Sequence, residues 1–315
     1  MSSANTRLKH TIHAVLLALS ALFTGTAQAV EVTFQPVAPS VYAFIGEKGP
    51  RTQDNEGLNA NIGLVVTPEG ALLIDSGATF QSARQIHQAV RAVTAKPIKW
   101  VINTGGQDHR WLGNGYFLAQ GAQLIAHANA KADMQARGGD HLTGLRAALG
   151  ERAEGTVAIL PDRLITGNDE RLTLGGTVIE LRHRGGGHTP GDMMVWLPET
   201  KILFSGDIVY VDRLLSVISV SNTLAWLAAF EEIETLQPAR IVPGHGDLTT
   251  LTTARVQTRD YLQALRVHMK KAVNDGEDVG AAVKRFNAKP WLHLLNAAEL
   301  QPGNASRAYL ELERE

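Results

Sequence analysis

Aliphatic and β-branched residues recur along this chain in short bursts bounded by glycine, proline and acidic turns, and the bursts fall into two series. In the first, Val41 to Ile45, Ile62 to Val66 and Ala71 to Ile74 read as strands, with Pro68-Glu69-Gly70 turning the chain between the last two. The period then changes: Ile86, Val90 and Val93 fall at helical spacing within Gln81 to Ala95, which predicts a helix that delivers the chain to a strand at Ile98 to Ile102. Leu124 to Ala126 and a helix from Asn129 continue the alternation.

The second series repeats that grammar. Leu172 to Leu181 forms a hairpin around Gly175-Gly176, and Met193 to Leu197 pairs with Ile202 to Phe204 around Pro198-Glu199. Asn222 caps a helix through Leu236, Ile241-Val242 is one more strand, and Thr249 to Val273 and Val279 to Phe286 are helical. Gly138 to Gly155 has the weakest pattern and predicts a mobile loop near the site. No Pro/Ser-rich linker divides the two series, so residues 30 to 315 read as one domain built from two βα halves.

Residues 1 to 29 stand apart. Arg7 and Lys9 make a basic start, Ala14 to Phe23 an apolar stretch and Ala27-Gln28-Ala29 a small-residue cleavage site, the pattern of a signal peptide that would deliver the mature chain to the periplasm. Removing Arg7 and Lys9 from the 30 Lys and Arg leaves 28 against 31 acidic residues, a formal charge of −3. That balance argues against nucleic acid, and against a membrane surface once the leader is gone, and points to a small-molecule substrate. Cysteine is absent, which excludes disulfides, thiolate ligands and a cysteine nucleophile, so any metal must be held by His, Asp and Glu.

Four predicted strands end in such residues. Asp108-His109 follows Ile98 to Ile102, His188 in GGGHTPGD follows Leu181, Asp207 in ILFSGD follows Phe204, and His245 in IVPGHG follows Val242. Strand ends on one sheet edge converge, and three imidazoles with two carboxylates there suit zinc, or iron or manganese.

The segments GLVVTPEGALLIDSG, DHRWLGN, GGGHTPGD, KILFSGD and VPGHG, in this order, resemble the five motifs of the metallo-β-lactamase superfamily across roughly residues 40 to 250. The resemblance implies an α/β fold, the αββα four-layer sandwich, followed here by C-terminal helices. The leader and the TGGQDHRWLGN wording are similar to the periplasmic zinc metallohydrolases associated with quinoprotein dehydrogenase relays and sulfur oxidation, which brings in a periplasmic redox partner.

The family pattern His-x-His-x-Asp-His holds two metals, and here its first two histidines are missing. Anchoring on Asp108-His109 puts Thr104 and Gly106 in their places; anchoring on Gly113-Asn114 puts Gly105 and Gln107 there. The resemblance therefore implies one ion, most simply zinc, on Asp108, His109, Asp207 and His245, with His188 as a further candidate ligand. Asp108, His188 and Asp207 are the expected catalytic residues, His188 acting as acid or base near its ordinary pKa of about 6.5. Asp75, at the end of the strand Leu72 to Ile74, is expected to orient the loop rather than bind metal.

Other residues rank lower. His141 and His183 are candidate substitute ligands, Arg182 and Arg184 read as a solvated pair, and Trp111 and Trp226 read as core. Gly185-Gly186-Gly187 lacks the Lys-Ser/Thr of a phosphate loop. Three functions follow in order: a hydrolase of a small ester, thioester or lactone using one metal-bound water; a metal-binding pseudoenzyme or accessory protein of a periplasmic redox system; and a β-lactamase.

Overall fold

Seven strands form the first sheet in chain order: β1 Gln35–Ala38, β2 Val41–Phe44, β3 Ile62–Val66, β4 Ala71–Ile74, β5 Ile98–Asn103, β6 Gln123–His127 and β7 Arg163–Ile165. This is seen in a computed structural model describing residues 31–315; the expected leader at 1 to 29 lies outside the described residues. β1 to β4 are an antiparallel meander, whereas β4 to β7 run parallel and need crossovers. Helix α1 Phe80–Val93 makes the first, the short α2 Asp108–Trp111 and α3 Asn114–Ala119 the second, and α4 Ala128–Leu149 the third.

The second sheet has the order β12-β11-β10-β9-β8, from β8 Asp169–Leu174, β9 Thr177–His183, β10 Met193–Leu197, β11 Ile202–Phe204 and β12 Arg240–Val242. β11 and β12 are parallel, joined through α5 Thr223–Leu236, whose N-terminus Asn222 caps by accepting from the Ala225 N–H. α6 Leu251–Ala254, α7 Asp260–Asn274, α8 Val279–Arg285 and α9 Ala297–Leu312 complete the chain.

Period-two alternation assigns the strand faces. Val65, Leu72, Ile74 and Ile102 meet Leu181, Val195, Phe204 and Val242 between the sheets. Leu64, Leu73 and Val101 face the other way, onto Ala83, Ile86 and Val90 of α1. Met194, Trp196 and Leu203 likewise face Trp226 and Phe230 of α5 and Tyr261 and Leu265 of α7. Helix, sheet, sheet and helix are therefore stacked as four layers, and the C-terminal helices thicken the outer one.

Two expectations need correction. Gly138 to Gly155 is not a loop: it is the second half of α4, continued by a 3-10 turn at Gly150–Ala153. Its buried stripe runs Ala130, Met134, Gly138, His141, Leu145 and Leu149, a helical spacing hidden because glycine and histidine occupy its middle. α9 was not expected either, since Gln301-Pro302-Gly303 reads as a turn; Ala305, Ala308 and Leu312 nevertheless pack into the core beneath α7.

Candidate metal centre

β4, β5, β9, β11 and β12 all deliver a polar residue to one buried cluster between the sheet edges. Asp75 follows β4 with φ +67°, a left-handed backbone that a non-glycine residue adopts at a cost. That twist turns its carboxylate under the next strand's loop, where it accepts from the Thr104 N–H at 2.7 Å and the Thr104 hydroxyl at 2.8 Å. Asp207 lies in a 3-10 turn after β11; Gly206 before it has φ +51°, and a Cβ there would strike the Thr104 side chain. The two halves of the chain thus lock together at Thr104.

The Asp207 carboxylate is the hub. His109 Nε2 lies 3.2 Å from its Oδ2 and His245 Nε2 3.2 Å from its Oδ1, and the ligating atoms of the three residues lie within 4.8 Å of one another. The His245 Nδ1–H donates to the Asn59 carbonyl at 2.6 Å, and burial pushes its pKa down to about 3. A neutral imidazole pinned this way has only a lone pair at Nε2, and that lone pair faces a carboxylate oxygen. Two lone pairs in contact call for a cation between them, so one metal fits this trio.

The places of the motif's first two histidines are closed to imidazoles. Asp192 fills the space a side chain at Gly105 would need, and Asp133, held by Arg137, fills that at Gly106. Neither register can therefore supply an imidazole from these positions without displacing a carboxylate.

Asp108 departs from expectation. Arg51, arriving from a distant loop, clamps its two oxygens at 2.5 and 2.6 Å, and although burial alone would raise its pKa, Arg51 and His109 hold it well below the carboxylate range. It stands outside the trio and meets it only at its neighbour His109, whose backbone N–H donates to Asp108 Oδ1 at 2.8 Å and whose Nδ1 lies 3.3 Å from the same oxygen. His188 is also outside the trio: its Nδ1–H donates to the Ser216 carbonyl at 2.8 Å and its ring packs on Trp226. Burial pushes it down to about 4 rather than the expected 6.5, so near neutral pH it can only accept a proton.

The residue that sequence reasoning missed is Arg110. Its side chain is 1 % exposed, yet every guanidinium donor is used: Nε and Nη2 on Asp207 at 3.1 and 2.6 Å, Nη1 on Asp75 at 2.9 Å and the Asn61 carbonyl at 3.1 Å, and Nη2 also on the Gly244 carbonyl at 3.0 Å. Burial would lower its pKa, but Asp207 and Asp75 raise it beyond the ordinary arginine value, so it is permanently charged. Asp75 orients both the loop and this arginine. A clue was available: anchored on Gly113-Asn114, the motif places Arg110 at its final histidine and His109 at its aspartate, and His109 and Arg110 are the two that reach Asp207.

The remaining candidates stay apart from the trio. His141 is buried in α4 against Trp111, with neither ring nitrogen bonded. His183 stacks on His127 at 3.8 Å and donates to the Asp192 carbonyl, while Arg182 and Arg184 join Asp169, Glu180 and Glu232 in an ion cluster. Trp111 and Trp226 are both fully buried.

The model of the metallo-β-lactamase superfamily matches residues 55–245. The chain belongs to this superfamily. Among curated relatives, the type 2 metallo-β-lactamase of Bacteroides fragilis is 32% identical over 80 residues, 24% of this chain and 32% of that protein. A linear primary-alkylsulfatase of a Pseudomonas species is 19% identical over 265 residues, 73% of this chain and 50% of that one. The chain thus spans a third to a half of the length of these relatives.

Solved structures share the fold. The inverting sec-alkylsulfatase Pisa1 from Pseudomonas sp. superposes with TM-score 0.72 at 18% identity, covering 88% of this chain and 50% of that one. The DIM-1 metallo-β-lactamase gives 0.60 at 18%, covering 75% and 99%. Superfamily members of this kind are metal-dependent hydrolases, typically of zinc, and no helix among the described residues is long and apolar enough to cross a membrane.

Proposed function

We propose that this protein is a periplasmic hydrolase that works with one metal ion, held by His109, Asp207 and His245. The observation that carries the reading is the His245 lone pair, fixed by Asn59 and aimed at Asp207 across 3.2 Å, which a cation resolves. A divalent ion supplies Lewis acidity and lowers the pKa of water at the site to about 7. His188, neutral and oriented by Ser216, takes a proton; Asp207 holds the trio together; Asp75 and Thr104 fix the loop that carries His109. Asp108 and Arg51 form a charge-compensated rim rather than a ligand. The substrate class remains a small ester, thioester or lactone, to which the relatives add alkyl sulfates.

A second reading is a metal-binding accessory protein of a periplasmic redox system. What favours it is that Arg110 already satisfies Asp207 and Arg51 already satisfies Asp108. The deciding experiment uses the chain beginning at Val30: metal analysis after chelator dialysis and reloading, with a panel of carboxyl ester, thioester, lactone, alkyl sulfate and β-lactam. One equivalent with turnover of any member supports the hydrolase. One equivalent, no turnover and a retained redox partner supports the accessory role, and no metal after reloading defeats both.

A further inference from the structure

Two buried carboxylates, Asp75 and Asp207, approach from strands 132 positions apart in the chain, and a single guanidinium joins them. Counting the imidazoles as neutral, the cluster of Asp75, Asp207 and Arg110 carries −1; one divalent ion brings it to +1, and a second would bring it to +3 in a site closed to water. The adjacent Asp108 is already balanced by Arg51. Arg110 cannot touch substrate, because each of its donors has a protein acceptor.

We infer that Arg110 is a tethered cation doing the charge work of the family's second metal: it limits the centre to one ion and leaves the metal-free cluster with a single uncompensated negative charge. This rests on the one-metal reading above but is read out separately from turnover. Arg110 is thus a positioning residue, and its position in the motif at the final histidine explains how one substitution could both remove a ligand and add a charge.

The test is calorimetric titration of chelated protein with zinc chloride, together with thermal unfolding of the metal-free form, for wild type, Arg110→Met, Arg110→Lys and Arg110→His. Wild type should take one equivalent and unfold cooperatively without metal. Arg110→Met should move two quantities in opposite directions: a lower metal-free melting temperature, from two unpaired carboxylates, and zinc affinity higher by about tenfold or more, from the lost positive charge. Arg110→Lys should restore the wild-type pattern, and Arg110→His, which replaces a charge by a ligand beside the same trio, should bind its single equivalent more tightly.

A merely structural arginine predicts that stability and affinity fall together in Arg110→Met, and that result overturns the inference. Two equivalents in wild type overturn it as well, whichever variants fold. Should wild type bind no zinc while Arg110→Met or Arg110→His binds it, the one-metal function fails and the role of Arg110 as a metal substitute stands.

Discussion

The loop after β5 and the turns after β11 and β12 meet at the same buried cluster and are built in opposite ways. The second-half turns keep their ligands and hold them by backbone: Asn59 fixes His245, and Gly206 lets Asp207 close against Thr104. The first-half loop carries small or neutral residues where the family motif has imidazoles, and Asp192 and Asp133 occupy the space beside Gly105 and Gly106. The first-half side is therefore packed rather than empty: Asp207, Asp108 and Asp133 are matched by Arg110, Arg51 and Arg137, and Asp192 is held by the Thr189 hydroxyl and N–H.

The sharpest way to break that comparison is to remove a ligand from the retained side. His245→Ala should abolish metal retention and activity together, exceeding the roughly 10- to 100-fold loss of affinity typical of an outer partner. Retention of a full equivalent by this variant would move the metal elsewhere. His188→Ala should instead keep the metal and lose roughly 10²- to 10⁴-fold in turnover of any substrate found. If it loses the ion as well, His188 is a ligand.

Stability against pH probes the buried imidazoles as a group. Burial depresses His127 and His188 to about 4 and His245 to about 3, so the unfolded chain, with histidine near 6.5, binds more protons between those values. Their contribution is present above about pH 6.5 and is lost as pH falls toward 4, by up to about 1.4 kcal/mol per pH unit for each. Asp192 has the opposite sign: burial and Asp207 push it up to about 8, so its contribution is present below its ordinary value and declines as pH rises to 8. Denaturant midpoints of chelated protein should therefore peak near pH 6.5 to 7. A monotonic rise to pH 8 would show that Asp192 is ionised in the fold.

The smallest effect is expected at Asp108. If it is a rim residue, Asp108→Asn should leave metal content within about twofold and cost about 1 to 3 kcal/mol of stability from the unpaired Arg51. Loss of the ion would restore the ligand role that the motif alone suggests.

Much of this was written in the sequence. β3, β4, β10 and β11 follow from short apolar runs bounded by turns, α1 and α5 from helical spacing and the Asn222 cap, and the superfamily from five ordered motifs. His109, Asp207 and His245 were visible because glycine-flanked strand ends are where ligands gather. Tertiary structure alone decided which of three consecutive residues reach Asp207. Asp108, His109 and Arg110 share the single turn of α2, where each successive side chain rotates by about 100°. Which of them turns toward Asp207 depends on partners brought from elsewhere in the chain: Arg51 holds Asp108 aside, and Asp75 and Asp207 draw Arg110 in. Charge pairing over such sequence separations leaves no local pattern, so the sequence could name the residues but not their directions.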